Sequence, residues 1–307
     1  MIPESHLGAV CYIDLLGFSY LTELLENKKE NANDSYETFD KDQEKTISTD
    51  QAYEIVNDNL RNFHNAIKDL TRKYSSSNYS IISDSLFITS ESCDDILYLV
   101  ANLFRECLKK GVLLRAGLAY GRYYTVETPI EELNFFGPAV TRAVHYEGKG
   151  KGCRIFTDSD FSNHCNLIVT KNLKLFFSYK NLLDYSTIDC FEWPLIKDNY
   201  ILDSVDKKKM NDLLNDNHEI ICKLLYSPNF DWNLDNNKGI EQIRASTEYL
   251  ANICNRIYRI LLPEKKKKAY KNFDWKKMKN RKRNNETLNK MISLKKEGVQ
   301  KLMDINR

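Results

Sequence analysis

The chain has 307 residues, of which 42% are hydrophobic, and a formal net charge of +2. That apolar content is enough for the core of one domain with an extension, or of two small domains. No stretch is long and apolar enough to cross a bilayer, and the first residues do not have the pattern of a signal peptide. Together with eight scattered cysteines, these features exclude a membrane or secreted protein and predict a cytoplasmic one.

The first predicted element is a buried β-strand over residues 7–15, because this run is short, apolar and rich in β-forming side chains. One acid, Asp14, lies at its end, and Gly17 follows shortly after. A carboxylate in a buried strand is costly to desolvate unless it is paired or bound to a metal. Asp14 therefore needs a partner.

A short helix is predicted over residues 19–26, followed by a polar, acid-rich insertion at 28–49 that we expect to be mobile. Apolar residues then recur at helical spacing from Tyr53 to about Lys73. His64 lies beside the apolar positions of this helix, and we interpret it as a packed core histidine.

Two short β-forming runs at 79–82 and 86–89 predict a hairpin, with a second acid, Asp84, between them. Each acid has an ordinary explanation when taken alone, since Asp14 could cap a helix and Asp84 could be a turn residue. Taken together, two carboxylates at two strand ends are typical of a site for divalent cations.

The remaining elements complete an α/β pattern. A second amphipathic helix is predicted at 94–110, ended by Gly111, and a strand follows it. The order of strand, helices, hairpin, helix and strand predicts a ferredoxin-like α/β sandwich. Because helical patterns dominate beyond residue 203, we divide the chain into an α/β domain at 1–202 and a helical extension at 203–307.

The extension ends in a basic tail. From residue 264 onward there are sixteen Lys and Arg residues against five acids, with Tyr270, Phe273 and Trp275 among them. Nucleic-acid binding is one interpretation. We favour the other, because apolar residues between Leu288 and Leu302 keep helical spacing and predict a helix that docks on the body or on a partner subunit.

Four motifs occur in an order that resembles the class III nucleotidyl cyclases. The resemblance covers about the first half of the chain. Its motifs are Asp14-Leu15-Leu16-Gly17-Phe18, Ser83-Asp84-Ser85, the segment from Leu113 to Gly121 and the segment from Phe136 to Ala143. The last two look like the family's strand with a glycine turn and its glycine-opened helix, and residues 153–157 look like the strand that follows.

This resemblance implies a two-metal mechanism. Asp14, Asp84 and the Leu15 carbonyl would hold two Mn²⁺ or Mg²⁺ ions. The backbone amides of Leu16, Gly17 and Phe18, at the start of a helix, would bind phosphate oxygens. The ribose 3′-hydroxyl of a nucleoside triphosphate would then attack its own α-phosphate and release pyrophosphate.

The departures from the family pattern concern the base pocket. Ser80 stands where purine cyclases carry a base-reading lysine. Asn134 stands three residues before the helix-opening Gly137, where those cyclases carry an Asp or a similar residue. Retained metal acids with an altered base pocket resemble the pyrimidine cyclases of bacterial antiphage defence, the Pycsar cyclases. The Gly137-Pro138-Ala139 start of the helix resembles the same branch. This resemblance implies cyclic UMP or cyclic CMP as product, and we favour UTP over CTP as substrate.

The catalytic helix also departs from the family pattern. Its usual Asn and Arg positions are occupied by Thr141 and His145. Because histidine is a poor substitute for a permanently charged guanidinium, Arg115 or Arg142 could stabilise the transition state instead. The resemblance further implies a homodimer with shared active sites and a separate effector protein that the cyclic nucleotide activates.

Two alternative functions remain open. A purine cyclase is possible if other side chains read the base. A catalytically silent nucleotide-binding module is the second alternative, because Thr141 and His145 are unusual, although both metal acids are retained. The glycines between Gly148 and Gly152 could cradle phosphate, but a flexible link between helix and strand is the simpler interpretation.

Overall fold

The strand β1, Glu4–Leu15, is the centre of the fold. The computed structural model describes residues 3–26, 48–74, 76–127, 133–165, 175–180, 187–198, 200–201, 207–227, 229–230 and 237–261. Ala9, Cys11 and Ile13 point into the main hydrophobic core on one face of β1, whereas Val10 packs in a second cluster on the other. Burial on both faces explains why this segment is a nearly continuous apolar run.

The main sheet has eight strands in the order β2-β3-β1-β4-β6-β8-β7, with β5 paired to β4. A separate two-stranded sheet contains β9 and β10. The remaining strands are β2 Asn78–Ile82, β3 Ser85–Ser90, β4 Leu114–Glu127, β5 Leu133–Phe136, β6 Ile155–Thr157, β7 Phe176–Lys180, β8 Thr187–Phe191, β9 Ile196–Lys197 and β10 Tyr200–Ile201.

Helices cover both faces of the sheet. Buried residues of α3 belong to the main core, whereas those of α4 form the second cluster with β1 and β4. The helices are α1 Phe18–Glu26, α2 Thr49–Lys73, α3 Cys93–Lys109, α4 Pro138–Glu147, α5 Ser159–His164, α6 Lys207–Tyr226 and α7 Asn237–Leu261, with a 3₁₀ turn at Trp193–Leu195.

The first four strands are antiparallel neighbours in the order β2-β3-β1-β4. With α2 before the hairpin and α3 after it, they form the split β-α-β motif of ferredoxin-like folds. The predicted ferredoxin-like α/β fold with a helical C-terminal part is therefore confirmed.

The start of α2 differs from the prediction. The helix begins at Thr49, because Ser48 and Gln51 form a capping box in which each side chain binds the other residue's backbone amide. Residues 27–47, most of the predicted insertion, lie outside the described part of the chain. His64, which we interpreted as a core residue, is exposed, and the neighbouring Phe63 is buried instead.

The C-terminal helices share the main core with the sheet. Buried residues of α6 and α7, such as Leu213 and Ile253, belong to the same cluster as those of α3. Arg105 of α3, with only 2% of its side chain exposed, pairs with Asp216 of α6 at 3.3 Å. The boundary at residue 202 stays a prediction, and the basic tail at 264–307 lies outside the described residues.

The described residues contain no helix that could span a membrane. Across the described ranges, the helices are either too short or too polar to cross a bilayer.

A close approach between α4 and β4 should make Gly117 intolerant of any side chain. A Cβ atom there would lie 1.9 Å from the Ala143 carbonyl oxygen and 2.5 Å from the Glu147 amide nitrogen. We expect Gly117→Ala to lower the free energy of unfolding by about 3 kcal/mol. Gly148→Ala is the control, since its Cβ would meet its nearest neighbour at an ordinary 3.7 Å. Equal urea midpoints for the two variants would contradict this packing.

Candidate active site

Asp14 lies near the end of β1, where two other strands place polar side chains beside it. In the register of the sheet, Asp14 is opposite Ser85 of β3 on one side and Arg115 of β4 on the other. It lies two residues after Tyr12 and therefore on the same face of the sheet, the face that α4 covers. The side chain is half-buried.

Asp84 reaches the same end of the sheet through the turn between β2 and β3. The preceding residue, Ser83, has a φ of 58°, which closes the turn. The backbone N–H of Leu15 donates to the Asp84 carbonyl at 3.2 Å and so ties the turn to the end of β1. The structure therefore brings together the two acids that the sequence predicted as metal ligands.

A chain of hydroxyl groups orients the first acid. The Ser85 hydroxyl donates to Oδ1 of Asp14 at 3.2 Å, and the Tyr12 hydroxyl lies 2.9 Å from the same Ser85 oxygen. Since the three side chains come from two paired strands, the sheet itself fixes the carboxylate's orientation.

The surroundings of Asp14 disfavour the charged form of its side chain. Burial, and after it the nearby carboxylates of Glu147 and Asp84, raise the pKa of Asp14 to about 6, against the opposing effects of Ser85 and Arg115. Repulsion between nearby carboxylates is relieved by a proton or by a cation. The site therefore has the electrostatic character of a cation site.

Glu147 is the site residue that sequence reasoning missed. It is the last residue of α4, is 7% exposed, and forms an ion pair with Nε of Arg115. Nη1 of Arg115 donates to the Gly150 carbonyl at 3.0 Å. Arg115 thus links β4 to the end of α4, while its predicted role in catalysis stays a prediction.

The loop after α4 is held by the C-terminal extension. The N–H of Gly152 donates to Oε1 of Gln242 at 2.6 Å, and the N–H of Cys153 donates to the Ser246 hydroxyl at 2.8 Å. Gln242 and Ser246 lie one turn apart on α7. The glycine-rich link is therefore anchored by α7, and through Gly150 it supports Arg115.

The predicted phosphate-binding amides lie at the start of α1. Gly17 has a φ of 86°, and its carbonyl accepts from the Leu21 amide as the helix begins. The Leu16 amide already donates to the Leu113 carbonyl at 3.0 Å. A phosphate role for Gly17 and Phe18 stays a prediction, whereas the Leu16 amide already has a partner within the chain.

The two predicted base-reading residues lie on strands that contact each other. Ser80 is on β2 and Asn134 is on β5, both are half-buried, and β2 contacts β5 although they are not paired in the sheet. Ser80 is opposite Phe87, which in turn is opposite Tyr12. The rings of Phe87 and Tyr12 are 4.8 Å apart, so aromatic groups flank this position.

Two of the three predicted catalytic side chains of α4, those of Thr141 and His145, lie on the side of the helix away from the sheet. Thr141 and His145 are both exposed. Gly137, which precedes the helix, has a φ of 120°. The third, Arg142, binds groups of its own subunit, because its Nε donates to Asp158 at 2.9 Å and its Nη2 donates to the Tyr120 carbonyl of β4. Thr141 and His145 therefore lie on the opposite side of α4 from its buried residues, of which Glu147 is the last.

The donor set fits hard divalent cations. Two carboxylates and the Leu15 carbonyl are oxygen ligands of the kind that Mg²⁺ and Mn²⁺ prefer. In the described part of the chain, no three Asp, Glu, His or Cys side chains form a metal site by themselves. Since Mg²⁺ commonly completes its shell with water and substrate phosphates, the two acids fit an ion that is bound together with substrate.

Comparison with known proteins gives distant similarities only. No protein-family model matches the chain, and no curated protein matches it. Among solved structures, the guanylyl cyclase Cya2 has 13% identity and a TM-score of 0.42, covering 62% of this chain and 93% of that chain. The adenylyl cyclase CyaB from P. aeruginosa has 12% identity and a TM-score of 0.39, covering 62% and 96%.

A third similar structure is the guanylyl cyclase domain of the RhoGC fusion protein from the aquatic fungus Blastocladiella emersonii. It has 10% identity and a TM-score of 0.41, covering 62% of this chain and 98% of that chain. Identity and TM-score are low in all three cases, and the fold of this chain is defined by the strand order described above.

The raised pKa of Asp14 predicts that its charge destabilises the fold at neutral pH. A group whose pKa is higher in the folded state makes stability fall as pH rises, here between about 4 and 6. We expect Asp14→Asn to be more stable than the parent at pH 7.5 by about 1 kcal/mol, after allowance for solvent screening of a partly exposed side chain.

Urea unfolding at pH 7.5 and at pH 4 measures this difference, which should shrink at the lower pH. Asp69→Asn, an exposed position on α2, is the control and should give no such change. If Asp14→Asn is less stable than the parent at pH 7.5, the prediction is wrong, and groups within the fold offset the cost of burying the Asp14 charge.

Proposed function

We propose that this protein is a metal-dependent nucleotidyl cyclase that converts a pyrimidine ribonucleoside triphosphate, UTP in preference to CTP, into a 3′,5′-cyclic mononucleotide and pyrophosphate. The observation that carries the proposal is the placement of Asp14 and Asp84 at one end of the sheet, joined by the Leu15–Asp84 backbone hydrogen bond. The nearby carboxylate of Glu147 adds to the negative charge that a divalent cation would balance.

Asp14, Asp84 and the Leu15 carbonyl would hold Mn²⁺ or Mg²⁺. When bound, such ions make the 3′-hydroxyl more acidic and neutralise charge on the triphosphate. The chain's own contribution is orientation. Ser85 fixes Oδ1 of Asp14 by a hydrogen bond, and the tied turn holds Asp84 beside it. Preorganised ligands of this kind do not have to be ordered during the reaction.

The pyrimidine preference is supported by the side chains at the base-reading positions. Ser80 and Asn134 are small and uncharged, and they lie on contacting strands. A hydroxyl and an amide can each donate or accept a hydrogen bond, and can therefore match either O4 of uracil or N4 of cytosine. The structures named above are adenylyl or guanylyl cyclases, so the pyrimidine preference depends on these two residues and on the resemblance to the Pycsar branch.

A homodimer with shared sites is part of the proposal. Thr141 and His145 lie on the exposed side of α4, together with Val144, whose side chain is 41% exposed. Since the opposite side of α4 packs on its own sheet, these side chains would act on the site of a second copy. One two-fold interface would then create two equivalent sites.

The biological role that we propose follows from the Pycsar resemblance alone. The cyclic pyrimidine nucleotide would be a second messenger in bacterial antiphage defence. A separate effector protein would bind it and respond.

The central test is a cyclisation assay with each of the four ribonucleoside triphosphates and Mn²⁺, with products identified by mass. We expect cyclic UMP as the main product. Asp14→Asn and Asp84→Asn should each reduce turnover at least about 100-fold, because each removes a ligand worth several kcal/mol in the transition state. Asp69→Asn, the exposed control on α2, should retain parental turnover. Near-parental turnover in either site variant would reject the two-metal assignment.

Base recognition is tested by Ser80→Lys. An ammonium group at this half-buried position would fill the pocket or remain without a partner beside a pyrimidine. We expect UTP turnover to fall about 10-fold or more, which corresponds to about 1.4 kcal/mol, with little change in thermal stability.

Asn78→Lys is the matched control, because it adds the same charge at an exposed position on the same strand. If Ser80→Lys retains parental UTP turnover, Ser80 does not face the base. A Ser80→Lys variant that gains purine turnover would confirm the position and identify it as a determinant of specificity.

A further inference from the structure

Arg115 is the cross-strand neighbour of Asp14. β1 and β4 are antiparallel, and their register places these two residues directly opposite each other. Residues paired in this way lie on the same face of a sheet, with Cβ atoms about 4.5–5.5 Å apart, and opposite charges in such a pair attract each other. An ion pair between Asp14 and Arg115 would be the ordinary outcome. The guanidinium would then occupy the place of a cation at Asp14.

The guanidinium of Arg115 is bound elsewhere. Its Nε pairs with the Glu147 carboxylate, and its Nη1 donates to the Gly150 carbonyl at 3.0 Å. Within the described ranges of the chain, Asp14 forms no ion pair, and its carboxylate accepts a hydrogen bond from Ser85. The acid therefore keeps its charge without a cation, although an arginine lies opposite it.

The packing of α4 on β4 brings Glu147 to this arginine. Gly117 lies two residues after Arg115 and therefore on the same face of β4. Because Gly117 has no side chain, the end of α4 comes so close that a Cβ atom there would lie 2.5 Å from the Glu147 nitrogen. The side chains of Arg115 and Glu147 are only 15% and 10% exposed, so water and salt screen their attraction little.

We propose that Glu147 is a positioning residue that holds Arg115 away from Asp14 and so leaves the Asp14 carboxylate free for a divalent cation. This inference rests on the proposed cation site at Asp14 and Asp84. Without the Glu147 carboxylate, Arg115 would turn to the acid opposite it and compete with the metal ion. A nearly buried ion pair adds little net stability relative to apolar side chains, so this role accounts for the pair better than stability does.

Urea unfolding at neutral pH in EDTA tests the competition without metal and without activity. In the Glu147→Gln background, we expect Asp14→Asn to lower the urea midpoint, because it removes a newly formed pair with Arg115. In the parent, the same substitution should raise the midpoint. In the Glu147→Gln/Arg115→Gln background the loss should disappear, since no guanidinium remains to pair with Asp14. An unchanged or raised midpoint for Asp14→Asn in the Glu147→Gln background would overturn the proposal.

Binding of Mn²⁺ without nucleotide, followed by electron paramagnetic resonance, tests the consequence for the cation site. We expect Glu147→Gln to bind Mn²⁺ at least about 10-fold more weakly than the parent. The double variant Glu147→Gln/Arg115→Gln should stay within about 3-fold of the parent, because it leaves neither a buried unpaired charge nor a competitor. Parental Mn²⁺ affinity in Glu147→Gln would overturn the proposal.

The double variant separates this role from a merely structural one. If the ion pair only supported the fold around the site, removing both partners would weaken Mn²⁺ binding as much as removing Glu147 alone, and that result would also overturn the proposal. It decides the question even if Glu147→Gln does not fold. Failure of the parent itself to bind Mn²⁺ would reject the cation site, while the urea midpoints in EDTA would still decide whether Glu147 holds Arg115 away from Asp14.

Glu219→Gln is the matched control for the loss of a paired carboxylate. Glu219 is an exposed acid of α6 that pairs with Lys223 at 3.2 Å, outside the candidate site. Because exposed ion pairs contribute little, its urea midpoint and its Mn²⁺ affinity should both stay close to the parental values.

Discussion

The architecture of the candidate site depends on the cost of placing a carboxylate at the end of a strand that is buried on both faces. Burial and neighbouring carboxylates raise the pKa of Asp14, so its charge is costly to maintain in the fold. Natural sequences retain such unfavourable groups mainly where they have a function. The groups around Asp14 offset the cost of its charge only in part. Ser85 donates a hydrogen bond and Arg115 lies on the adjacent strand, but Arg115 is paired with Glu147. Negative charge therefore remains for a cation to balance.

The C-terminal extension takes part in this architecture. Helix α7 binds the backbone of Gly152 and Cys153 through two side chains, and the same loop provides the Gly150 carbonyl that receives Arg115. Arg115 in turn pairs with the last residue of α4. Hydrogen bonds at both ends of the short segment from Gly150 to Cys153 thus connect the extension to the strand beside Asp14. Since the extension also shares the main core with α3, it supports the position of the site and is not merely attached to it.

The sequence predicted those parts of the structure that depend on local patterns. The apolar run of β1, the hairpin around Asp84 and the periodicity of α3 identified the fold, because each pattern is determined within a short segment. Residues whose role depends on tertiary contacts were harder to identify. Glu147 is far from Asp14 in sequence, and only the packing of α4 on β4 brings it close. His64 was wrongly placed in the core, because one position along a helix turns a side chain by about 100°. The capping residues Ser48 and Gln51 were a local signal for the start of α2 that the analysis of apolar spacing did not use.

Positive charge is distributed in a way that constrains the proposed chemistry. Cyclisation develops negative charge on the α-phosphate, and a cation must stabilise it. The two arginines that the motifs offer, Arg115 and Arg142, are each bound to a carboxylate of their own subunit, Glu147 and Asp158. An arginine that is already neutralised contributes less to a developing charge than one whose charge is uncompensated. In the proposed dimer, the exposed His145 would approach a phosphate bound in the site of the second copy. The positive charge at the reaction centre should therefore come from bound divalent ions, from the partner subunit, or from both, and this requirement links the metal acids of one subunit to α4 of the other.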